Sequence, residues 1–357
     1  MLSKTRKSRL AITALALIIT GCSSISTVSK AHAKDVIAEY QKCPVFKNSI
    51  CITAIHPNNS LIASAKSDDN VDIWQIEDGD LIHSLPHLGG VPSVSFSPDG
   101  KLIATGGYDS EIMIWQVSDG QLLKTLSGHK NIIFKVAFSP DSKTLASVSA
   151  DDNAILWNIA TGESRVLSAH EGDVWGLVFS PDGKQLLTGG EDNVINIWDV
   201  SSSTLVKKLT EHSGAVLELA FSHDGKLLAS GGDDYTIKIW DTSSWSVLKT
   251  LEDDSYSIYA LTFNPDDSML ISGGRDKGLF GEFLQYHWQY KSNENDVTIR
   301  IWDVKKGRAI KRLNNHTDDV TNVNLTSDGK QLISSGPDGK VVIQYIDKEL
   351  LDFKKMN

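Results

Sequence analysis

The sequence is short of cysteine, of basic residues and of long apolar runs. Its 357 residues carry a formal net charge of −10, with 35 Lys and Arg against 45 Asp and Glu. Surfaces that bind nucleic acid or anionic lipid need clustered positive charge, so this deficit argues against a general binder of either. Hydrophobic residues make up 40% of the chain, which is enough for a large core and is not typical of a disordered protein.

The apolar run near the N-terminus is too short to cross a membrane. Leu10–Ile19 has ten residues and follows a basic stretch, whereas a transmembrane helix needs about 20. This pattern predicts a signal peptide that is removed on export. The run ends in Ile19-Thr20-Gly21-Cys22, which resembles a bacterial lipobox.

The lipobox resemblance implies a lipid anchor. It implies removal of residues 1–21 and acylation of Cys22, which becomes the new N-terminus and is held in a membrane by its acyl chains. Ser23 next to it favours the outer over the inner membrane, so we expect the protein in the bacterial cell envelope. Residues 22–35 are small and polar without periodicity, which predicts a flexible tether.

Only three cysteines are present, and Cys22 is assigned to the lipid. An exported protein can form disulfides, but a bond between Cys43 and Cys51 requires their Cα atoms to lie within about 7 Å. A disulfide and two free thiols therefore both remain open.

A segment that ends in a large aromatic residue recurs along the chain. The intervals between the aromatic residues are 41, 42, 41, 42 and 62 residues, and a copy ending in Gln344 follows after another 42. The long interval is one period plus an insertion, which we place at residues 277–296. The six aromatic residues are Trp74, Trp115, Trp157, Trp198, Trp240 and Trp302.

Each repeat contains four short β-branched and apolar runs separated by turn residues, such as the Ser-Pro-Asp-Gly of residues 97–100. Four strands repeated seven times, with no helical segment between repeats, predict an all-β fold, a seven-bladed β-propeller of antiparallel strands. We place it at residues 36–347, followed by a C-terminal tail at 348–357.

The repeats resemble WD repeats, with the Trp-Asp ending at Trp198-Asp199, Trp240-Asp241 and Trp302-Asp303. In that family a His, a Ser or Thr, an Asp and the Trp form a hydrogen-bonded chain inside each blade. The resemblance implies four complete sets, which are His87, Thr105, Asp109 and Trp115; His129, Ser147, Asp151 and Trp157; His170, Thr188, Asp192 and Trp198; and His212, Ser230, Asp234 and Trp240.

The recurrence of these sets indicates structure rather than catalysis. A constellation repeated in four blades, each time with the Trp donor, satisfies buried polar groups, so we do not predict Ser-His-Asp triads. No cluster of His, Cys, Asp and Glu departs from the repeat, and we predict neither a metal nor a cofactor. Blades one and six have Phe46 and Asp254 in the His position, and blade seven has Gln344 in the Trp position.

The seventh repeat runs out before its fourth strand, which would leave an open edge. Val36–Cys43 is placed to supply this outer strand, and Glu349–Lys355 is the competing candidate. Strand length and position in the repeat favour the N-terminal segment.

The resemblance also implies that two sets of loops share one face of the ring, the top. The side chains at two repeat positions are expected on this face, with Glu191 and Asp233 as charged neighbours. The large side chains at these positions either pack between blades or form an exposed patch for a protein partner. The first position is large and apolar in blades three to six, and the second adds two further candidates; together they are Phe134, Trp175, Leu217, Tyr259, Tyr108 and Arg275.

The insertion at residues 277–296 interrupts blade six on the same face. Its apolar residues recur with helical spacing, which predicts a short amphipathic helix. This helix could bind a partner, plug the channel of its own propeller, or contact a membrane or ligand. Its candidate contact residues are Phe280, Phe283 and Trp288.

The composition and pattern favour a lipid-anchored, monomeric, non-enzymatic scaffold for a protein partner. A ligand-binding or metal-dependent hydrolytic propeller is the alternative, with its site at the channel mouth. That alternative needs inward-facing carboxylates that break the repeat, and Glu191, Asp233 and Asp254 are scattered. A purely structural envelope protein is a third hypothesis.

Overall fold

A computed structural model describes residues 36–41, 52–65, 70–252, 257–274 and 299–346, with the backbone alone for 36–41. Strands and turns make up these ranges. The strands of the first three blades and the N-terminal strand are β1 Val36–Gln41, β2 Ile52–Ile55, β3 Leu61–Ala65, β4 Asn70–Gln75, β5 Leu81–Pro86, β6 Ser93–Phe96, β7 Leu102–Gly106, β8 Glu111–Gln116, β9 Leu122–Ser127, β10 Ile133–Phe138, β11 Thr144–Ser149, β12 Asn153–Asn158 and β13 Ser164–Ser168.

The remaining strands complete four more blades. They are β14 Val174–Phe179, β15 Gln185–Gly190, β16 Ile195–Asp199, β17 Thr204–Leu209, β18 Val216–Phe221, β19 Leu227–Gly232, β20 Thr236–Asp241, β21 Ser246–Glu252, β22 Ile258–Phe263, β23 Met269–Gly274, β24 Ile299–Asp303, β25 Arg308–Leu313, β26 Asn322–Leu325, β27 Gln331–Ser335 and β28 Lys340–Tyr345.

The strands form seven four-stranded antiparallel sheets, which confirms the predicted seven-bladed propeller. In six sheets the strands follow chain order, and in the seventh the order is β1-β28-β27-β26. The first strands of adjacent blades contact each other all round the ring, including β2 with β26. These seven inner strands therefore line the central channel.

The N-terminal strand closes the ring. β1 pairs antiparallel with β28, from Val36 opposite Gln344 to Gln41 opposite Lys340. The outer edge of the seventh blade is thus formed by the segment that begins the propeller, which leaves no half-built sheet in the ring. The competing segment, Glu349–Lys355, lies outside the described residues.

The core lies between the blades. The Trp at the end of the repeat motif is buried in blades two to six, and Trp157 and Trp240 are 2% and 0% exposed. Trp157 packs against Ile114 and Leu126 of the preceding blade. Glycines at the ends of second strands permit this approach, because a Cβ at Gly189 would lie 2.6 Å from the Val216 side chain. Burial of apolar side chains in these interfaces holds the blades together.

The outer strands carry exposed apolar residues that the fold itself explains. In β5, β9, β17 and β21 the pairing register shifts by one residue opposite the blade's Trp. The extra residue is exposed in each case, and bulges of this kind hinder an edge strand from pairing with another sheet. The four residues are Ile82, Leu123, Val206 and Leu248.

Candidate partner-binding face

Two sets of loops lie at the same end of the ring, which we call the top face. One set joins the outer strand of a blade to the inner strand of the next, and the other joins the second and third strands. Backbone hydrogen bonds tie the two loops of a blade together, as from Glu191 N to Asp173 O at 2.8 Å and from Asp233 N to Ala215 O at 2.8 Å. The opposite end, the bottom face, holds the turns between strands one and two and between strands three and four.

Inner strands of four consecutive blades bulge near their top ends. In β10, Ile133 pairs with Ser149 and Lys135 with Val148, so that Phe134 has no partner opposite it. The same shift occurs in β14, β18 and β22, whereas β2, β6 and β26 pair without a shift. A bulge redirects the extra side chain and is common at barrel rims and near binding sites. The extra residues are Phe134, Trp175, Leu217 and Tyr259.

Two of the bulged residues form one aromatic unit. The rings of Phe134 and Trp175 stack with centroids 3.8 Å apart and planes 18° from parallel, and both residues are partly buried. Such pairs contribute about 0.5–1.5 kcal/mol beyond the burial of their area. The stack joins blades three and four across their boundary and gives the top face a rigid aromatic surface.

The other predicted contact residues differ in exposure. Tyr108 is 46% exposed, and its ring lies over Gly90, where a Cβ would come within 2.6 Å of it. Tyr259 is partly buried. Leu217 is only 6% exposed, so at this position the bulge turns the side chain into the protein, and Leu217 adds little to an exposed patch.

Several predicted residues lie outside the described residues. Nothing in the structure bears on the signal peptide at 1–21, the tether at 22–35, the insertion at 277–296 or the tail at 348–357. The individual residues in this group are Cys22, Cys43, Phe46, Cys51, Asp254, Arg275, Phe280, Phe283 and Trp288.

Two exposed apolar residues of the top face escaped the sequence analysis. Leu88 follows His87 and is 89% exposed, and Tyr235 follows Asp234 and is 48% exposed. Tyr235 has a φ of +64°, a conformation that is unusual for a bulky residue. A comparison of repeats, position by position, could have found both: Leu88 stands where other blades have polar residues, and Tyr235 where blades two to four have Ser, Asp or Asn.

An ion pair crosses the channel below the aromatic stack. The Lys135 ammonium lies 2.5 and 2.6 Å from the two carboxylate oxygens of Glu218. Lys135 belongs to the third blade and Glu218 to the fifth, so the pair spans the front of the fourth. Burial raises the pKa of Glu218, and the charge of Lys135 partly offsets that effect.

The predicted polar networks form in full in blades three to five. In the third, His129 Nδ1 lies 2.9 Å from Asp151 and Nε2 lies 2.7 Å from Ser147 Oγ, which accepts the Trp157 N–H at 2.8 Å. Ser147 is fully buried, where no substrate reaches it. The same contacts, at 2.7–3.0 Å, join His170, Asp192, Thr188 and Trp198, and then His212, Asp234, Ser230 and Trp240.

The second blade has a variant of this network. Trp115 donates to Thr105 at 3.0 Å, and the Thr105 hydroxyl donates to the Met113 carbonyl at 3.3 Å. The ring of His87 lies 5.6 Å from that of Trp115, and Asp109 accepts the backbone N–H of Glu111.

The divergent blades keep parts of the network. In the seventh, His316 contacts Asp338 and Ser334, and Gln344 accepts from Asn315. The Trp donors of blades one and six, Trp74 and Trp302, bond to Ser64 and Ser272 at 3.0 and 2.9 Å.

Two other kinds of site are absent from the described residues. Among the described residues, no group of three or more His, Cys, Asp or Glu side chains could hold a metal ion. The part of the chain with described coordinates also contains no helix long and apolar enough to span a membrane.

Comparison with known proteins agrees with the architecture. The profile of a family described as "WD domain, G-beta repeat" matches residues 79–116, 120–158, 162–199, 203–241, 245–280 and 307–343. The U5 small nuclear ribonucleoprotein 40 kDa protein of Dictyostelium discoideum is 36% identical over 69 residues, which are 18% of this chain and 19% of that protein. The chain therefore aligns with about a fifth of this curated relative.

Proposed function

Because the chain belongs to the WD domain, G-beta repeat family, whose propellers are typically protein-interaction scaffolds, we propose that it is a non-enzymatic scaffold whose top face binds a protein partner. The proposal includes a lipid anchor at Cys22 in the cell envelope, on the lipobox resemblance of residues 19–22. A propeller fold by itself does not specify a function, so the argument depends on one departure from the repeat.

That departure is the run of bulges in blades three to six. The bulges coincide with large apolar residues at the top ends of the inner strands, and Phe134 and Trp175 stack there. The unbulged blades two and seven have Pro92 and Thr321 at this position. Partly exposed aromatic side chains held rigidly by a scaffold are typical of the energetic centre of a protein interface.

A ligand in the channel is the rival function, and the ion pair argues against it. Lys135 and Glu218 lie across the upper part of the channel and satisfy each other's charge. A small molecule bound against the inner strands of blades three to five would have to compete with this pair, whereas a protein that rests on the face would not. The insertion residues Phe280, Phe283 and Trp288 remain part of the proposed interface as sequence predictions.

The test compares two single variants by crosslinking in the cells that produce the protein and purifying the full chain. Trp175→Ala removes an aromatic ring from the top face. Trp245→Ala is the matched control, because Trp245 is a partly buried aromatic residue of the bottom face whose ring lies 6.5 Å from that of Phe221.

The proposal expects a crosslinked protein with the wild type and with Trp245→Ala, and its loss with Trp175→Ala. Thermal unfolding of both variants checks that each is folded. The assignment of the top face would be overturned if the two folded variants crosslinked the partner equally, or if no partner were crosslinked by either variant or by the wild type.

A further inference from the structure

We propose that the top face of blades two to five binds a basic segment of its partner, one in which Lys or Arg side chains alternate with aliphatic or aromatic ones. This inference rests on the proposed function and specifies the chemistry of the partner. We call the surface the acidic arc and define it by the top-face loops of these four blades.

The apolar contribution to the acidic arc is spread over all four blades. Leu88 and Tyr108 lie in blade two, the Phe134–Trp175 stack joins blades three and four, and Tyr235 lies in blade five. Leu88 is 89% exposed, so almost all of its surface is available for contact. Exposed apolar groups that follow one another along a face mark an interaction surface rather than scattered surface residues.

Tyr235 adds an observation of a different kind. Its φ of +64° is one that L-residues other than Asn and Asp rarely adopt, and the equivalent positions hold Ser110, Asp152 and Asn193. A ring that is 48% exposed gains little from packing, so the fold does not explain why a tyrosine stands there. The turn is left-handed at all four positions, so the tyrosine side chain, and not the backbone, is the departure from the repeat.

The charge of the acidic arc determines the kind of partner. In its loops in blades three to five, Lys130 is the only Lys or Arg, and the Lys208 ammonium of β17 bonds to the carbonyl of the loop residue Ala169. The same loops carry six carboxylates that are not bound to a buried His, and these are Asp152, Glu171, Asp173, Glu191, Glu211 and Asp233. A positive segment would relieve this like-charge crowding, and complementary charge selects partners and speeds their encounter.

Crowding is direct at the boundary of blades three and four. The backbone N–H of Asp173 donates to the Glu191 carboxylate at 3.3 Å. Asp152 of the neighbouring blade is close enough for its charge to act on Asp173. Burial and the charges of Glu191 and Asp152 raise the pKa of Asp173. Asp173 directly precedes β14, the strand that carries Trp175 of the aromatic stack, and Asp152 and Glu191 lie in the top-face turns that follow β11 and β15.

Other occupants fit less well. Nucleic acid and anionic lipid would be repelled by the carboxylates. A bound metal ion would need a cluster of ligands, and the described residues contain none. The Lys135–Glu218 pair lies in front of blade four, where the Glu218 carboxylate is already bound by Lys135.

The test uses the full chain, purified in detergent, and three labelled synthetic 12-residue peptides. The first alternates lysine with leucine and tryptophan, the second has glutamate in place of every lysine, and the third has serine in place of every apolar residue. Fluorescence anisotropy at low and at physiological salt measures binding of each.

Two triple variants make the comparison. Asp152→Asn/Asp173→Asn/Glu191→Gln removes three charges from the acidic arc. Asp78→Asn/Asp119→Asn/Glu163→Gln is the matched control, since it removes the same residue types from exposed turns of the bottom face. Phe134→Ala tests the apolar part separately.

We expect the lysine–apolar peptide to bind more tightly than either of the others. The variant of the acidic arc should weaken it by about tenfold, as the loss of three exposed charge contacts implies, and the control variant by less than about twofold. Phe134→Ala should weaken it without changing the salt dependence. No detectable binding, equal binding of the glutamate peptide, or equal effects of the two triple variants would overturn the inference.

The fate of the proposed function is read separately, from the crosslinked partner itself. If that partner depends on Trp175 but its crosslinked segment contains no Lys or Arg, the scaffold proposal holds and the basic-segment inference fails. If no partner depends on Trp175, the scaffold proposal fails on its own terms.

Discussion

Removing one member of the ion pair that crosses the channel should destabilise the propeller more than removing both. Loss of one partner from a buried pair costs about 3–5 kcal/mol, because the remaining charge is left without compensation. The Lys135 and Glu218 side chains are 29% and 14% exposed, so water partly solvates the charge that remains when one partner is removed. We expect about 2 kcal/mol for Lys135→Met or Glu218→Met and a double variant within about 1 kcal/mol of wild type.

Denaturant unfolding of the full chain, followed by tryptophan fluorescence, measures these four stabilities as a double-mutant cycle, and the expected coupling energy is about 3–5 kcal/mol. The pH dependence gives a second reading. Burial raises the pKa of Glu218, so in Lys135→Met the folded state binds a proton more tightly than the unfolded state. The stability of that variant should fall as the pH rises above the ordinary pKa of a glutamate, about 4.3. Additive single effects with no pH dependence would refute an ion pair in the channel.

Four other predictions concern the top-face loops, the network and the anchor. Tyr235→Asn should raise the free energy of unfolding by about 1 kcal/mol, because Asn tolerates a positive φ, while it weakens partner crosslinking; a loss of stability in denaturant unfolding would contradict this. Ser230→Ala leaves the buried His212 imidazole and the indole donor without their shared oxygen, which should cost about 2–4 kcal/mol, whereas a surface Ser→Ala variant such as Ser118→Ala should be neutral. Burial opposes ionisation of Asp234, but the hydrogen bond and charge of His212 outweigh burial and lower the pKa of Asp234. The stability that Asp234 contributes should therefore be lost as the pH falls below about 4. In Asp234→Asn, the melting temperature should depend less on pH in that range. Cys22→Ser should move the protein from the membrane fraction to the soluble fraction, and an unchanged distribution would exclude the lipid anchor.

The fold could be predicted because it depends on a pattern that the sequence repeats. The spacing of the Trp residues and the turn residues between short apolar runs determine blade number and strand number without knowledge of any long-range contact. The polar sets could be located for the same reason, since His129, Ser147 and Trp157 keep a fixed distance from one another in the repeat.

Features that depend on the detailed backbone could not be predicted. Whether Phe134 and Leu217 face outward or inward depends on the local geometry of each bulge, and the same repeat position gives a stacked ring in one blade and a buried side chain in another. The ion pair joins residues 83 positions apart in blades that are not adjacent, so no local pattern indicates it. Leu88 and Tyr235 lie at neither of the two repeat positions from which the top face was predicted.

The polar networks and the acidic arc belong together in physical terms. In blades three to five, each His lies in the loop that enters the blade and each Asp in the turn between the second and third strands, so the network joins the two top-face loops. The Asp also accepts the backbone N–H that follows the His, as Asp151 does from Lys130 at 2.8 Å and Asp234 from Ser213 at 3.0 Å. Loops fixed in this way lose little conformational freedom when a partner binds, which raises affinity without new contacts. The hydrogen-bonded network shared by these blades thus holds rigid the same top-face loops that carry the residues of the acidic arc.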